Sequence, residues 1–155
     1  MAKLRKHHSS TPCLRVGPSE VHGLGAFATR ALPAFALLGI YEGRRYSQQE
    51  IAAKVRDGQL TYLFTLSNRE TIDGAKGGNG TRHLNHACDP NCEADEEYDD
   101  AGQLLLKFQT IAPVNAGDEL FIDYCLTADD GPPASDYPCR CGSPNCRGTM
   151  LADLG

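Results

Sequence analysis

No stretch of this sequence stays apolar for the roughly 20 residues that a membrane-spanning helix requires. The most apolar run, Ala31 to Tyr41, is broken by Pro33 and Gly39. An excess of basic charge is also missing. Fifteen Lys and Arg stand against 20 Asp and Glu, for a formal net charge of −5. That balance argues against a non-specific nucleic-acid binder, which is normally basic. It suits a basic partner such as a lysine-rich peptide. The basic residues of 1–12 have no apolar run behind them, so no secretory signal is expected there. Internal repeats are lacking, as is the strand–helix alternation of a parallel α/β sheet.

What is present fits one domain: 155 residues, 41 % of them hydrophobic, enough for a modest core. From Leu14 onward short β-type runs alternate with Gly, Pro, Asn and Asp. Strands are expected at Leu14–Val16, Gly25–Ala28, Leu37–Tyr41, Tyr62–Leu66, Thr71–Asp73, Leu104–Thr110 and Glu119–Asp123. Only Ser47–Asp57 reads as a helix, with Ser47 and Glu50 at capping-box spacing and Gly58 at the stop. The fold expected is mainly β. Residues 1–12 read as a flexible arm, 13–128 as the body, 129–136 as a Gly/Pro/Asp linker and 137–155 as a small tail.

Seven cysteines occur, Cys13, Cys88, Cys92, Cys125, Cys139, Cys141 and Cys146. An odd number without a signal peptide argues against a disulfide framework and for an intracellular, reducing setting. Cytoplasm, nucleus and an exported-effector destination all accord with that. Cys139, Cys141 and Cys146 bracket a Gly-Ser-Pro-Asn turn, so their thiolates can reach one ion. Zinc takes four ligands, leaving one to come from elsewhere. The segment Arg82-His83-Leu84-Asn85-His86-Ala87-Cys88-Asp89-Pro90-Asn91-Cys92 packs Asn, His and Cys between turn residues and reads as a functional loop rather than a strand. Half of a metal site and a Cys/His nucleophilic pair both fit it, although no partnering acid or oxyanion loop accompanies such a pair. Either Cys88 or Cys92 can supply the missing ligand. His22-Gly23-Leu24-Gly25 is a turn whose bare backbone permits close approach of a ligand. Gly117-Asp118 opens a strand that ends on Asp123-Tyr124.

In this order the four segments resemble the SET domain of protein lysine methyltransferases, followed by a post-SET cysteine tail. The match runs over about residues 13–151, most specifically through Arg82-x-x-Asn85-His86-x-Cys88-x-Pro90-Asn91 and the tail. The resemblance implies small curved β-sheets, with the C-terminal strand threaded beneath the Asn85-His86 loop. It implies S-adenosylmethionine as methyl donor and one zinc ion on Cys88, Cys139, Cys141 and Cys146. Tyr124 takes the catalytic place and Tyr41 the wall of a lysine channel. His22, Gly23, Leu24 and Gly25, with Asn85, His86 and Tyr62, take the cofactor positions; Arg140 and Arg147 fall where the tail closes over the adenine. The substrate implied is a lysine in a protein, histone tails among the basic ones. A non-histone substrate and a catalytically silent SET-fold binding module are the alternatives. Three positions depart from the family pattern. His83 and Leu84 stand where larger apolar residues are common. Ile122 stands where Phe or Tyr usually tunes the number of methyl groups added, and favours di- or trimethylation. The acidic run Glu93–Asp100 reads as a solvated loop or hairpin tip, with attraction of a basic peptide as its functional reading.

Overall fold

The structure is a computed structural model. It describes residues 12–21, 23–54, 62–124, 139, 141, 143–144 and 146–148. The arm, the linker, His22, Arg140, Cys125 and the end of the helix lie outside the described residues.

Among those described, ten strands form three small sheets. In the first, β1 (Leu14–Pro18) and β2 (Leu24–Ala28) make an antiparallel hairpin with Leu14 opposite Ala28 and Pro18 opposite Leu24. Next to β2 lies β10 (Glu119–Ile122), antiparallel, with Leu120 opposite Ala26. On its other edge β10 pairs in parallel with β7 (Asn85–His86), placing Phe121 beside Asn85 and Ile122 beside His86. The second sheet orders β3 (Leu37–Ile40), β9 (Leu104–Thr110) and β8 (Cys92–Tyr98). The third orders β4 (Arg44–Tyr46), β6 (Thr71–Asp73) and β5 (Leu63–Thr65). One helix, α1 (Gln48–Lys54), starts at the expected capping box. The Ser47 amide donates to Glu50 Oε1 at 3.1 Å, and the Glu50 amide to Ser47 Oγ at 3.2 Å.

All three sheets feed one core. Strand β9 alternates strictly: Leu104, Leu106, Phe108 and Thr110 are buried, the residues between them half-buried. Ala26, Leu120 and Ile122 meet this row from the first sheet, Leu38 from the second and Ile72 from the third. Thr110 is buried yet hydrogen-bonded on both sides. Its hydroxyl donates to the Pro33 carbonyl at 2.7 Å and accepts from the Ala36 amide at 2.9 Å.

Three strands were not among those expected. Arg44–Tyr46 is short and flanked by glycine. Asn85–His86 lies inside the segment expected to be a loop; a single 3₁₀ turn (Gly80–His83) precedes it. The acidic run is no free loop either, since Cys92–Tyr98 is a full strand and the hairpin tip comes after it at Asp99–Gly102. Charged residues are poor strand formers, so their pattern hid it. At a sheet edge they are tolerated, and there they discourage edge-to-edge pairing. The charges are engaged locally: Glu93 accepts from Gln109, Glu97 pairs with Lys107 and Glu96 accepts from Ser67. These bonds support the structural reading of the run.

Phe108 is fully buried and touches both Tyr41 and Phe64, with centroids at 5.5 and 5.7 Å; Tyr41 and Phe64 stack edge-on at 4.7 Å. Replacing Phe108 with Ala is expected to lower unfolding stability by about 3–5 kcal/mol, the usual cost of emptying an aromatic site. Urea titration measures it, and a loss below ~1 kcal/mol would show that this cluster does not carry the core.

Candidate active site and metal centre

The parallel pairing of β10 with β7 builds the site by joining segments nearly 40 residues apart in the chain. Asn91 holds the pairing. Its Nδ2 donates to the Glu119 carbonyl at 2.9 Å and its Oδ1 accepts from the Phe121 amide at 2.9 Å, so one side chain does the work of a neighbouring strand. The Ala87 amide donates to the Ile122 carbonyl at 3.0 Å just beyond. Thus β10 lies between β2 and the 85–91 segment, and Tyr124 emerges beside His86.

Three tyrosines converge there. The Tyr124 hydroxyl donates to the Leu84 carbonyl at 2.8 Å. The Tyr41 hydroxyl donates to the Tyr62 carbonyl at 2.5 Å, and a Cβ at Gly74 would overlap it, so Gly74 makes its space. Burial, reinforced by the other tyrosines, pushes both phenols far above their usual range. Neither ionises near neutral pH, so neither is a general base. Each has committed its proton to a backbone carbonyl and turns its oxygen lone pairs elsewhere as acceptors.

Asn85 is buried, and its Nδ2 donates to the Leu24 carbonyl at 3.1 Å and to Glu119 Oε2 at 3.2 Å. Ser19 Oγ lies 2.9 Å from both oxygens of that carboxylate. These bonds join the Gly23–Gly25 turn to β7 and β10. They also explain one glycine: a Cβ at Gly25 would lie 2.7 Å from Glu119 Oε2. Gly23 has a positive φ of 47°. Glu119 and Ser19 carried no signal in the sequence beyond their place near the motifs.

The imidazole of His86 is buried. Its Nδ1 accepts from the Tyr124 amide at 3.0 Å, which puts the ring proton on Nε2, 3.5 Å from Cys88 Sγ. Burial holds its pKa below the usual value, as does Arg147, against the pull of Asp123. Arg147 sits at the body rather than apart in the tail. Its guanidinium grips Asp123 with two bonds of 2.9 and 3.1 Å. Nothing in the sequence marked Asp123 as its partner.

The sulfurs of Cys88, Cys139, Cys141 and Cys146 all lie within 4.8 Å of one another, Cys88 and Cys139 at 3.7 Å. A zinc tetrahedron with bonds of about 2.3 Å has edges of roughly 3.8 Å, so the spacing suits that ion. Backbone amides are aimed at the sulfurs, Arg147 to Cys88 at 3.3 Å and Gly148 to Cys146 at 3.4 Å. Burial raises the Cys88 and Cys139 thiols, whereas at Cys141 donors from Cys88, Ser143 and Cys139 outweigh burial and lower it. Four soft sulfur donors gathered at this spacing suit a cation such as zinc. Cys13 and Cys92 are buried in the core, away from this group.

A SET-domain family model matches residues 23–125. The chain belongs to the SET-domain family. It is 36 % identical over 151 residues to the histone-lysine N-methyltransferase SETD2 of human and of mouse, a match covering 94 % of this chain and 6 % of that protein. Similarity to human histone-lysine N-methyltransferase SETD1A is 30 % over 144 residues, covering 88 % and 8 %. An H3 lysine-4 specific histone-lysine N-methyltransferase of Mycosarcoma maydis is 34 % identical over 143 residues, covering 86 % and 9 %. The chain therefore spans less than a tenth of the length of these relatives. Its several small sheets and its cysteine cluster accord with a SET domain and post-SET tail.

His83, one of the departures from the family pattern, sits beside Tyr62. Its Nε2 accepts from Arg82 Nε at 3.1 Å and its ring meets Tyr62 edge-on at 5.9 Å. Burial, then the Arg82 charge, lowers its pKa. The unfolded chain therefore takes up this proton first as pH falls. The contribution is complete above about pH 6.5 and is lost as pH drops through the folded pKa. The melting temperature is expected to fall on acidification from about pH 7.5 to 5.5, and less steeply in His83→Gln. Identical slopes in the two proteins would remove His83 from the explanation.

Proposed function

We propose that this chain transfers methyl groups from S-adenosylmethionine to the side-chain amine of a lysine in a protein, with histone tails as the substrate class. The observation that carries the reading is the committed state of two hydroxyls, that of buried Tyr41 and that of half-buried Tyr124. Tyr41 and Tyr124 each donate to a backbone carbonyl and keep lone pairs on the oxygen, and burial pushes both phenols far above their usual range. Such acceptors suit the positive partners of this reaction and nothing anionic. The relatives' names supply the histone class, and the chain's net charge of −5 favours a basic partner.

S-adenosylmethionine supplies a methyl group on a positively charged sulfur. The residues fitted to hold it are the Gly23–Gly25 turn, Asn85 and His86, with Tyr62 at the side; by resemblance His22 and Arg140 join them. The four thiols of Cys88, Cys139, Cys141 and Cys146 would hold zinc, which would supply the tail with an anchor on the body. The chain's own part is to bind, dry and align. An apolar aromatic lining destabilises a lysine ammonium relative to the neutral amine, lowering its pKa toward release of the proton. The Tyr124 oxygen then accepts from the amine and fixes its approach, and orientation alone removes several kcal/mol from a displacement barrier.

Transfer of labelled methyl to histones and to a cell extract, beside Tyr124→Phe, tests this. Labelling of a discrete protein is expected, reduced at least ~100-fold in the variant, on the scale of losing one preorganised group at the transition state. Zinc-loaded chain that binds no S-adenosylmethionine would sink the reading.

Ile122 refines it. The residue is fully buried and offers no hydroxyl to hold a restricting water. The expected products are di- and trimethyl-lysine, with Ile122→Tyr shifting them toward monomethyl-lysine by mass spectrometry. A wild-type distribution that halts at monomethyl-lysine contradicts the role given to Ile122.

A further inference from the structure

His86 and four residues around it form a closed ring that joins the cysteine cluster to Tyr124. Cys88 Sγ receives the Arg147 amide at 3.3 Å; the Arg147 guanidinium grips Asp123; Asp123 precedes Tyr124 in the chain. The Tyr124 amide donates to His86 Nδ1, and His86 Nε2 returns to Cys88 Sγ at 3.5 Å. Arg147 follows Cys146 directly, so a single tail residue touches a metal-binding sulfur through its backbone and the end of β10 through its side chain.

We propose that Asp123 and Arg147 form a latch by which the metal-ordered tail sets the position of Tyr124. Both are positioning residues, and their effect on catalysis rests on the methyltransferase reading of Tyr124. The geometry of the carboxylate gives the reason. Asp123 Oδ1 lies 3.5 Å from His86 Nδ1. That nitrogen already accepts from the Tyr124 amide, so nitrogen and carboxylate oppose each other as two acceptors. The guanidinium fork draws the carboxylate toward the tail and off the imidazole. A two-bond fork fixes direction as well as distance, which a single ammonium contact cannot do. Both side chains are 23 % exposed, so the pair is partly shielded from solvent. Without Arg147 the conflict between carboxylate and imidazole is relieved by movement of the Asp123–Tyr124 peptide, and the tyrosine oxygen leaves its place. Loss of metal releases Cys146 and Cys88 from common ligation and has the same consequence. The tail thus controls the catalytic tyrosine from behind, independently of any wall it adds to the cofactor site.

The test compares wild type, Arg147→Gln, Asp123→Asn and the double variant, all zinc-loaded. One zinc per chain is expected in each, because all four thiols remain. Each single variant is expected to lower kcat roughly 10- to 100-fold, the scale of a small misplacement of reacting groups. The KM for S-adenosylmethionine should stay within about twofold, and the double variant should fall no further than the singles, the mark of one shared interaction. With tyrosine labelled by ¹³C at Cζ and the signal assigned through Tyr124→Phe, zinc removal should shift the Tyr124 resonance of wild type. Zinc-loaded Arg147→Gln should already sit near the stripped position. A raised KM with kcat preserved would assign Arg147 to the cofactor instead and overturn the latch. Additive losses, zinc lost from the variants, or a Tyr124 resonance indifferent to Arg147 would overturn it too. A wild-type chain that transfers no methyl sinks the methyltransferase reading alone, and the resonance then decides the latch by itself.

Discussion

The parallel contact between β10 and β7 is the constraint on which the site depends. Parallel neighbours ordinarily need a long crossover and several ladder bonds to be stable. Here the ladder is two residues long. Asn91 compensates by bonding to the β10 backbone on both sides of Leu120, and such a side chain cannot be exchanged for an apolar one of equal volume without orphaning two backbone groups. Asn85 then binds β7 to the turn after β1, and His86 binds it to the Tyr124 amide. The site is thus assembled by amide and imidazole groups that act as cross-braces. That explains why so many polar side chains are compressed into one short segment: each one replaces strand that is not there.

The same compression decides the electrostatics. Braces bring polar groups inward, and every proton among them has one destination. Leu84 and Tyr62 carbonyls take the two phenol protons, and His86 must be neutral with its proton facing sulfur. At the two phenols, what is left unused is the lone pairs of the oxygens, which are acceptors. Oxygens in that state suit cations and polarised N–H or C–H groups.

Much of this was legible in the chain itself, and the exceptions have physical causes. Thr71–Asp73 and Leu104–Thr110 stood out because alternation and β-branched or aromatic content coincide there. The three tail thiols were legible because metal ligands need few residue types at short spacing; spacing left the fourth open between Cys88 and Cys92, and only the family resemblance pointed to Cys88, which the structure brings to the other three. Asn85–His86 was not legible as a strand, since two residues carry no period. Cys92–Tyr98 was hidden by charge: its ladder with β9 supplies the stability, and side-chain pattern reports only burial. Asp123 was passed over because an acid before a tyrosine is unremarkable until a guanidinium from residue 147 arrives on it. Long-range polar pairing leaves no trace in local pattern, so residues that act through it are the ones a sequence conceals.

The acid at position 123 also shows why tail and body are better viewed as one device. A tail of this length has too little apolar surface to hold itself against the body by burial. A metal held by Cys88 and the tail cysteines would anchor it at one point only, and one point leaves rotation free. A second anchor removes that freedom when it is directional, which is what a two-bond guanidinium–carboxylate pair provides. Because the carboxylate belongs to the residue next to Tyr124, orienting the tail and orienting the tyrosine become the same act. An apolar contact could have fixed the tail as firmly, but it would not have carried direction back to the residue beside Tyr124.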